Sequence, residues 1–338
     1  MDVDVAIIGA GPAGCAAAIT CAGQGLRVAL YDGPAPARPR PGETLHPGAE
    51  PVFQALGVVG RVRAADFLRH AGTRSRWGGP EVFHAFGTSP GPSGPEPWLG
   101  FQAWRPTLDA ILLARAAEVG VALFRPCRAR APLVDAGRVV GISTDAGEVT
   151  AKVVIDAAGG RHWLARRLAL PIRRDSPPLR VRYGHAFGRS PQLDAAPVIE
   201  GAPWGWAWAA RVRADVYAWA TLTRDGRPPP GGWVPEPLRP LDPEGAPRGA
   251  DVTWRLAPAS GPGFLSVGDA ASVVDPAASH GVLKALLTGV WAAGAAAGGI
   301  RDPGRRVGLA CRYAARVAAW FNRDVAALRA FYGRLPPG

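Results

Sequence analysis

The sequence predicts an α/β chain that opens on a Rossmann-type strand–turn–helix and closes in helices. Three observations carry that expectation. An apolar run at residues 3–8 leads into Gly9-Ala-Gly11-Pro12-Ala13-Gly14 and then an alanine-rich segment, which reads as buried strand, glycine turn and helix. Short apolar runs recur at 27–31, 139–142, 153–155 and 264–267, each the length of a strand. Toward the carboxyl end, residues 282–296 and 305–332 carry apolar side chains at helical spacing.

Each element has a local reason. Gly9 permits the tight turn, Gly11 lets the backbone approach a pyrophosphate, and Gly14 lets the helix pack on the sheet. Pro12 and Ala13 complete the binding turn, and the helix start offers N–H groups and a positive dipole end to phosphates. Asp32 ends the second strand, where a carboxylate accepts from ribose hydroxyls. An amphipathic helix is predicted at 108–119 and two tryptophan-rich strands near 204–222. Strand alternation sets Trp204, Trp206 and Trp208 on one face and Gly205, Ala207 and Ala209 on the other; the next strand adds Tyr217 and Trp219. Two readings fit this aromatic set: a packed sheet wall, or a surface that stacks against substrate. The Pro/Gly-rich stretches 33–42, 88–97 and 227–249 read as surface loops or crossings between domains.

Composition narrows the class. At 338 residues, with 48% hydrophobic and 20% charged, the chain has room for two domains of ordinary globular make-up. No run of uncharged apolar residues reaches membrane-spanning length and no secretory leader is recognisable, so no membrane association and a cytoplasmic location are expected. Cys15, Cys21, Cys127 and Cys311 lack metal-type spacing and are expected to be buried structural thiols, with no metal site. A net charge of +12 can signal an acidic partner or nucleic acid. Here the arginines are dispersed and the only lysines are Lys152 and Lys284, a pattern expected of GC-rich coding, so nucleic-acid binding is not expected.

Further motifs resemble the flavoprotein monooxygenase superfamily, which includes p-hydroxybenzoate hydroxylase and the flavin-dependent halogenases. Phe264-Leu-Ser-Val-Gly268-Asp269 is similar to its Gly-Asp motif, and Asp275-Pro276-Ala-Ala-Ser279-His280-Gly281-Val282 follows at the family's spacing. Trp104-Arg105-Pro-Thr-Leu-Asp109 resembles the arginine segment that opens a helix. Asp156-Ala-Ala-Gly159-Gly160-Arg161 resembles a second dinucleotide-side motif, with Trp163 where serine is usual. The resemblance implies FAD. Asp269 would bind the ribityl chain, Pro276 would line the flavin, and backbone N–H groups around Ser279, His280, Gly281 and Val282 would meet the ring's pyrimidine edge. Arg105 would approach the cofactor. Taken singly, Asp156 and Asp269 also read as helix caps.

The resemblance further implies an FAD domain from 1–45, 98–170 and 252–300, an inserted mixed-sheet substrate domain from 46–97 and 171–251, and a helical segment at 301–338. Pro41-Gly42-Glu43-Thr44-Leu45-His46-Pro47 resembles the Gly-Glu-Ser segment of halogenases, and Gly205, Trp206 and Trp208 match their tryptophan strand, with two alanines in place of Ile-Pro. The halogenase lysine is missing: its stretch reads Gly72-Thr-Arg-Ser-Arg-Trp77-Gly, and arginine holds its proton too tightly to substitute. Halogenation is therefore not expected. Hydroxylation of an indole or phenol through a flavin C4a-hydroperoxide is, with dioxygen and electrons from NAD(P)H or a separate flavin reductase. Glu43, Ser75-Arg-Trp77, the tryptophan strand and His280-Gly281 are also similar to flavoproteins that mature tryptophan-derived quinone cofactors, which implies either a small aromatic substrate or a tryptophan in a partner protein. Candidate proton-transfer residues are His280, Glu43 and His46, and candidate substrate-pocket residues are Trp77, Trp206, Trp208 and Trp219. His70, His84, His162 and His185 carry no motif. A reductase of the geranylgeranyl-reductase type and a catalytically idle FAD-binding scaffold are the alternatives.

Overall fold

The side chains of Val3 and of residues 5–8 are buried on both faces, and the strand Asp2–Ile8 accordingly lies inside a parallel sheet. In the computed structural model, which describes residues 1–33, 43–91 and 94–335, this sheet runs Ala122–Phe124, Val28–Tyr31, Asp2–Ile8, Gly147–Asp156, Phe264–Ser266. Ile7 stands between Leu30 and Ile155 in the register. The long strand Gly147–Asp156 divides its outer edge. Its start pairs antiparallel with Arg138–Thr144, which turns into Ala129–Asp135, and its end pairs parallel with Phe264–Ser266. The predicted loop 33–42 lies, after Gly33, outside the described residues, and so do Pro41 and Gly42 of the Gly-Glu segment.

Helix Pro12–Gly23 is buried along most of its length because alanines and glycines let its neighbours come close. Its main neighbour is Gly281–Arg301. A Cβ on Gly289 would strike the Ala13 carbonyl, so the crossing needs glycine at that point. By length and composition Gly281–Arg301 could cross a membrane, although Lys284 and Arg301 interrupt its uncharged run. In the fold its apolar side chains pack against Pro12–Gly23 and the terminal helix Arg306–Gly333.

A second sheet orders Asp242–Pro243, Arg180–Phe187, Val216–Thr223, Gly205–Arg213, Val198–Ala202, Gly72–Arg76 and Val82–Ala85, with Arg248–Asp251 also on Arg180–Phe187. It is mixed: Val198–Ala202 and Gly72–Arg76 run parallel, and the other pairings are antiparallel. One face carries Val181, Trp206 and Leu222 and is covered by Phe321, Val325 and Leu328 of the terminal helix. The other carries Ala209, Tyr217 and Trp219 beneath Trp233 and Leu238. The terminal helix also reaches the parallel sheet, where the Tyr313 hydroxyl donates to the Ser266 carbonyl at 2.6 Å.

Three local expectations are corrected. The helix predicted from 108 begins at Arg105, since Pro106 suits a first turn that has no intrahelical N–H partner. Within the Pro/Gly-rich stretch 88–97, Thr88–Gly91 and Gly94–Pro97 pair as a two-stranded ladder rather than a plain loop. Cys15, Cys21 and Cys127 are buried, but Cys311 is exposed, because it lies off the stripe of Tyr313, Val317 and Phe321 that the terminal helix buries.

Candidate active site

The glycine turn divides its labour. Gly9 has φ +102°, and a Cβ there would run into the Ala157 carbonyl; one on Gly14 would run into the Gly9 carbonyl. Both are demanded by the fold itself. Gly11 differs, since a Cβ there would meet nothing within 4 Å, and it precedes a helix start that no side chain caps. This is an open cradle in front of a positive helix end, the arrangement a pyrophosphate fills. Asp32 Oδ1 accepts from the Ala10 N–H at 3.3 Å, and its Oδ2 is 3.1 Å from Arg125 Nε. The acid thus stands at the rim of the turn. Gly268 packs against Ala13, and the Asp269 side chain is 58% exposed, free of any capping bond and 3.9 Å from Lys284 Nζ. These residues fit a dinucleotide whose phosphates sit on the helix and whose hydroxyls meet carboxylates.

Asp156 does not join them. It is fully buried, with Oδ1 accepting from Ala158 N–H at 2.9 Å and Oδ2 from Leu164 N–H at 2.8 Å. Burial pushes its carboxyl up to about 6. Of the two readings open for Asp156 the structure takes the cap, while Asp269 caps nothing.

Arg105 is buried at the start of its helix and holds Asp109 in a forked pair at 3.1–3.2 Å. Two residues before it, the Ala103 N–H donates to the Glu43 carbonyl at 2.7 Å, which draws the Gly-Glu segment alongside. Glu43 is 1% exposed. Its Oε1 lies 3.2 Å from His185 Nε2, and its Oε2 is buried with no hydrogen-bond partner among the described residues. His185 Nδ1 lies 3.0 Å from Glu244 Oε2, and the Trp104 ring meets the imidazole edge-on. Burial works against the charged imidazole, but hydrogen bonds and charge from Glu43 and Glu244 outweigh it, so the His185 pKa is raised. Sequence reasoning missed His185. Its only signal was a histidine in a strand two positions from Tyr183, with no motif around it.

At the other end of the segment, His46 Nδ1 accepts from the Gly48 N–H at 3.0 Å. Burial, and then the charge of His280, lower its pKa. His280 opens helix Gly281–Arg301. Its Nε2 lies 2.9 Å from Asp324 Oδ1 and 3.2 Å from Trp320 Nε1, both on the terminal helix. One nitrogen cannot donate to Asp324 and accept from Trp320 at once, so this histidine has two bonding states. Before it, Pro276 and Ser279 are exposed, with Ser279 at φ +62°, and Gly281 is exposed ahead of buried Val282. Asp275 anchors the turn from below: Oδ1 accepts from Ala277 N–H at 2.8 Å, and Oδ2 accepts from Trp206 Nε1 at 3.4 Å and from the Tyr332 hydroxyl. Burial raises the Asp275 carboxyl to about 6.

Trp206 is 1% exposed and Trp219 3%, and both pack within the sheet's hydrophobic layers, as the wall reading required. Trp77 sets its ring over Gly201 and edge-on to Phe331. Trp208 is half-buried and, like Trp104, packs near Ala218, the residue opposite His185. Trp204 is a correction: it precedes the strand Gly205–Arg213 and lines a cavity with Ala207, Thr221 and Trp233, away from the face of Trp206. Gly205 at φ +148° breaks the alternation there. Among the described residues no cluster suits a metal ion.

Comparison with known proteins agrees with this geometry. Residues 2–213 match the FAD binding domain family. The chain is 26% identical to the 1H-pyrrole-2-carbonyl-(peptidyl-carrier protein) chlorinase of Pseudomonas fluorescens, over 84% of this chain and 73% of the chlorinase. It is 29% identical to a menaquinone reductase of Mycobacterium tuberculosis, over 86% of this chain and 75% of the reductase. The myxobacterial chondrochloren halogenase CndH superposes with a TM-score of 0.87 at 21% identity, covering 99% of this chain and 83% of the halogenase.

Proposed function

The chain belongs to the FAD binding domain family of the flavoprotein monooxygenase superfamily, and from that premise we propose that it is a monooxygenase that hydroxylates an indole- or phenol-type ring. FAD-dependent oxidoreductase chemistry is common to its halogenase and reductase relatives. What separates the outcomes is the set of side chains around the flavin, and one observation carries the reading. Both lysines are engaged: Lys152 Nζ pairs with Asp4 at 2.9 Å, and buried Lys284 donates to the Ser272 carbonyl at 2.8 Å with Asp269 3.9 Å away. No ε-amine is then left to steer a halogen species toward a substrate. In the strand Gly72–Arg76, Arg74 and Arg76 are tied to Glu81.

Bound FAD would supply the oxygen-activating chemistry, with electrons from NAD(P)H or a partner reductase and the transferred oxygen from dioxygen. Gly11 and the helix start would hold its phosphates, and Asp32 and Asp269 its hydroxyls. Glu43 accepts the ring O–H or N–H proton at Oε2, because that oxygen is buried with no partner among the described residues while Oε1 is occupied by His185. His46 and His280 flank the same site, with His280 positioned by Asp324. Trp208 and Trp104 form its aromatic side. The substrate is a small aromatic molecule or a tryptophan presented by a partner protein. The menaquinone-reductase likeness favours a second reading, saturation of a quinone or prenyl group without oxygen.

The test is product analysis. The FAD-loaded protein is reduced, then given isotopically labelled dioxygen with indoles, phenols and tryptophan-containing peptides, with and without bromide. Gain of labelled oxygen is the expected result. A brominated product would overturn it in favour of halogenation, and turnover confined to anaerobic quinone would establish the reductase.

A further inference from the structure

Glu43, His185 and Glu244 form a continuous line from the buried site to the surface. Glu43 is 1% exposed, His185 3%, and the Glu244 side chain 31%. The contacts are 3.2 Å from Glu43 Oε1 to Nε2 and 3.0 Å from Nδ1 to Glu244 Oε2. An imidazole bridged on both nitrogens by carboxylates can take a proton on one side and release it on the other. At the outer end Arg248 NH1 stands 3.6 Å from Glu244, and no other charged group enters the line among the described residues. At the inner end Glu43 Oε2 has no hydrogen-bond partner among the described residues, and the line stops there. A buried carboxylate oxygen left bare is costly unless a ligand or proton meets it.

We propose that these three side chains are a proton wire between the flavin-side site and solvent, with Glu43 as its inner terminus and His185 and Glu244 as positioning residues. This deepens the reading of Glu43 given above and rests on it for the identity of the inner proton donor. Outward, a ring O–H or N–H bond breaks and an O–H bond forms at Glu43. The carboxylic acid rotates and passes its proton to Nε2, Nδ1–H passes one to Glu244, and Glu244 releases it to water. No electron moves, and each group regains its charge once the imidazole resets its tautomer. Inward, the same steps in reverse deliver protons when FAD is reduced.

The test does not depend on knowing the substrate. FAD-loaded protein is reduced anaerobically in weak buffer with pre-reduced methyl viologen, whose oxidation moves no proton, and proton uptake is followed with a pH-indicator dye beside the flavin absorbance. Two variants are compared with wild type. Glu244→Gln alters only a partly exposed side chain, and His185→Gln keeps two polar contacts without a titrating ring. Proton uptake is expected to lag flavin reduction by about ten-fold or more in both, and the pH dependence of uptake is expected to lose its inflection in His185→Gln. His185 ring titration followed by NMR is expected to shift downward in Glu244→Gln. Uptake that keeps pace with reduction in both folded variants would overturn the wire and leave the monooxygenase reading intact. Slowed uptake in a protein that never transfers oxygen would keep the wire and discard that reading.

Discussion

Gly11 and Gly14 are three residues apart, yet the same substitution should do different things to them. Gly14→Ala forces a Cβ into the Gly9 carbonyl, so the protein is expected to lose stability whether or not FAD is present. Gly11→Ala meets open space, so the FAD-free protein should melt as wild type while FAD affinity falls by about ten-fold or more. Calorimetry with and without FAD checks both, and a Gly11→Ala protein that binds FAD normally would remove the cradle from the site. Asp156 and Asp275 make a second residue-scale case. Their folded carboxyls stand at about 6, above an unfolded value near ~3.9. Because the folded pKa is the higher, the folded chain binds the proton more tightly. The stability this adds is complete below about pH 4 and is lost as the pH rises through about 6. Urea midpoints measured across that window should show a shallower decline in Asp275→Asn than in wild type.

The terminal helix Arg306–Gly333 does more than cover a sheet. Its Phe321 is fully buried against the layer of Trp206 and Leu222, and Phe321→Ala is expected to cost about 3–5 kcal/mol. The same helix supplies Trp320 and Asp324 to His280 and Tyr332 to Asp275, so it grips the Asp-Pro turn at both ends. Tyr332→Phe leaves Asp275 Oδ2 with Trp206 alone and is expected to destabilise by about 1–3 kcal/mol in denaturant titration. The apolar stripe of this helix was legible as periodicity. Its polar residues were not, because Asp324 ends the polar run Asn322-Arg323-Asp324, which by itself reads as a solvated face, and only the folded packing turns it toward a turn more than forty residues earlier.

At the scale of the whole molecule, a charge of +12 favours encounter with an acidic partner. If the substrate is a tryptophan within such a partner, kcat/KM for the protein substrate should fall as salt rises from low to physiological ionic strength. A free indole should show little change. Equal salt dependence for both would argue for a small-molecule substrate. Glu43 and Trp104, which lead into Thr44–Leu45 and helix Arg105–Glu118, meet the second sheet at His185 and beside Trp208, so the site draws on elements far apart in the chain.

The sequence by itself determined the parallel sheet's first strand and helix, the glycine turn, Asp32, the Gly-Asp and Asp-Pro turns and the closing helices. Each depends on residues close together in the chain, where periodicity, turn chemistry and backbone sterics act directly. Tertiary structure alone decided that Asp156 is a cap, that Trp206 is wall, and that His280 answers to Asp324. It alone joined Glu43 to His185 across 142 positions and His185 to Glu244 across 59. Those pairings depend on which strands lie side by side and which faces they bury. A strand's period of two says that His185 points to one side, but only the sheet order says what waits there.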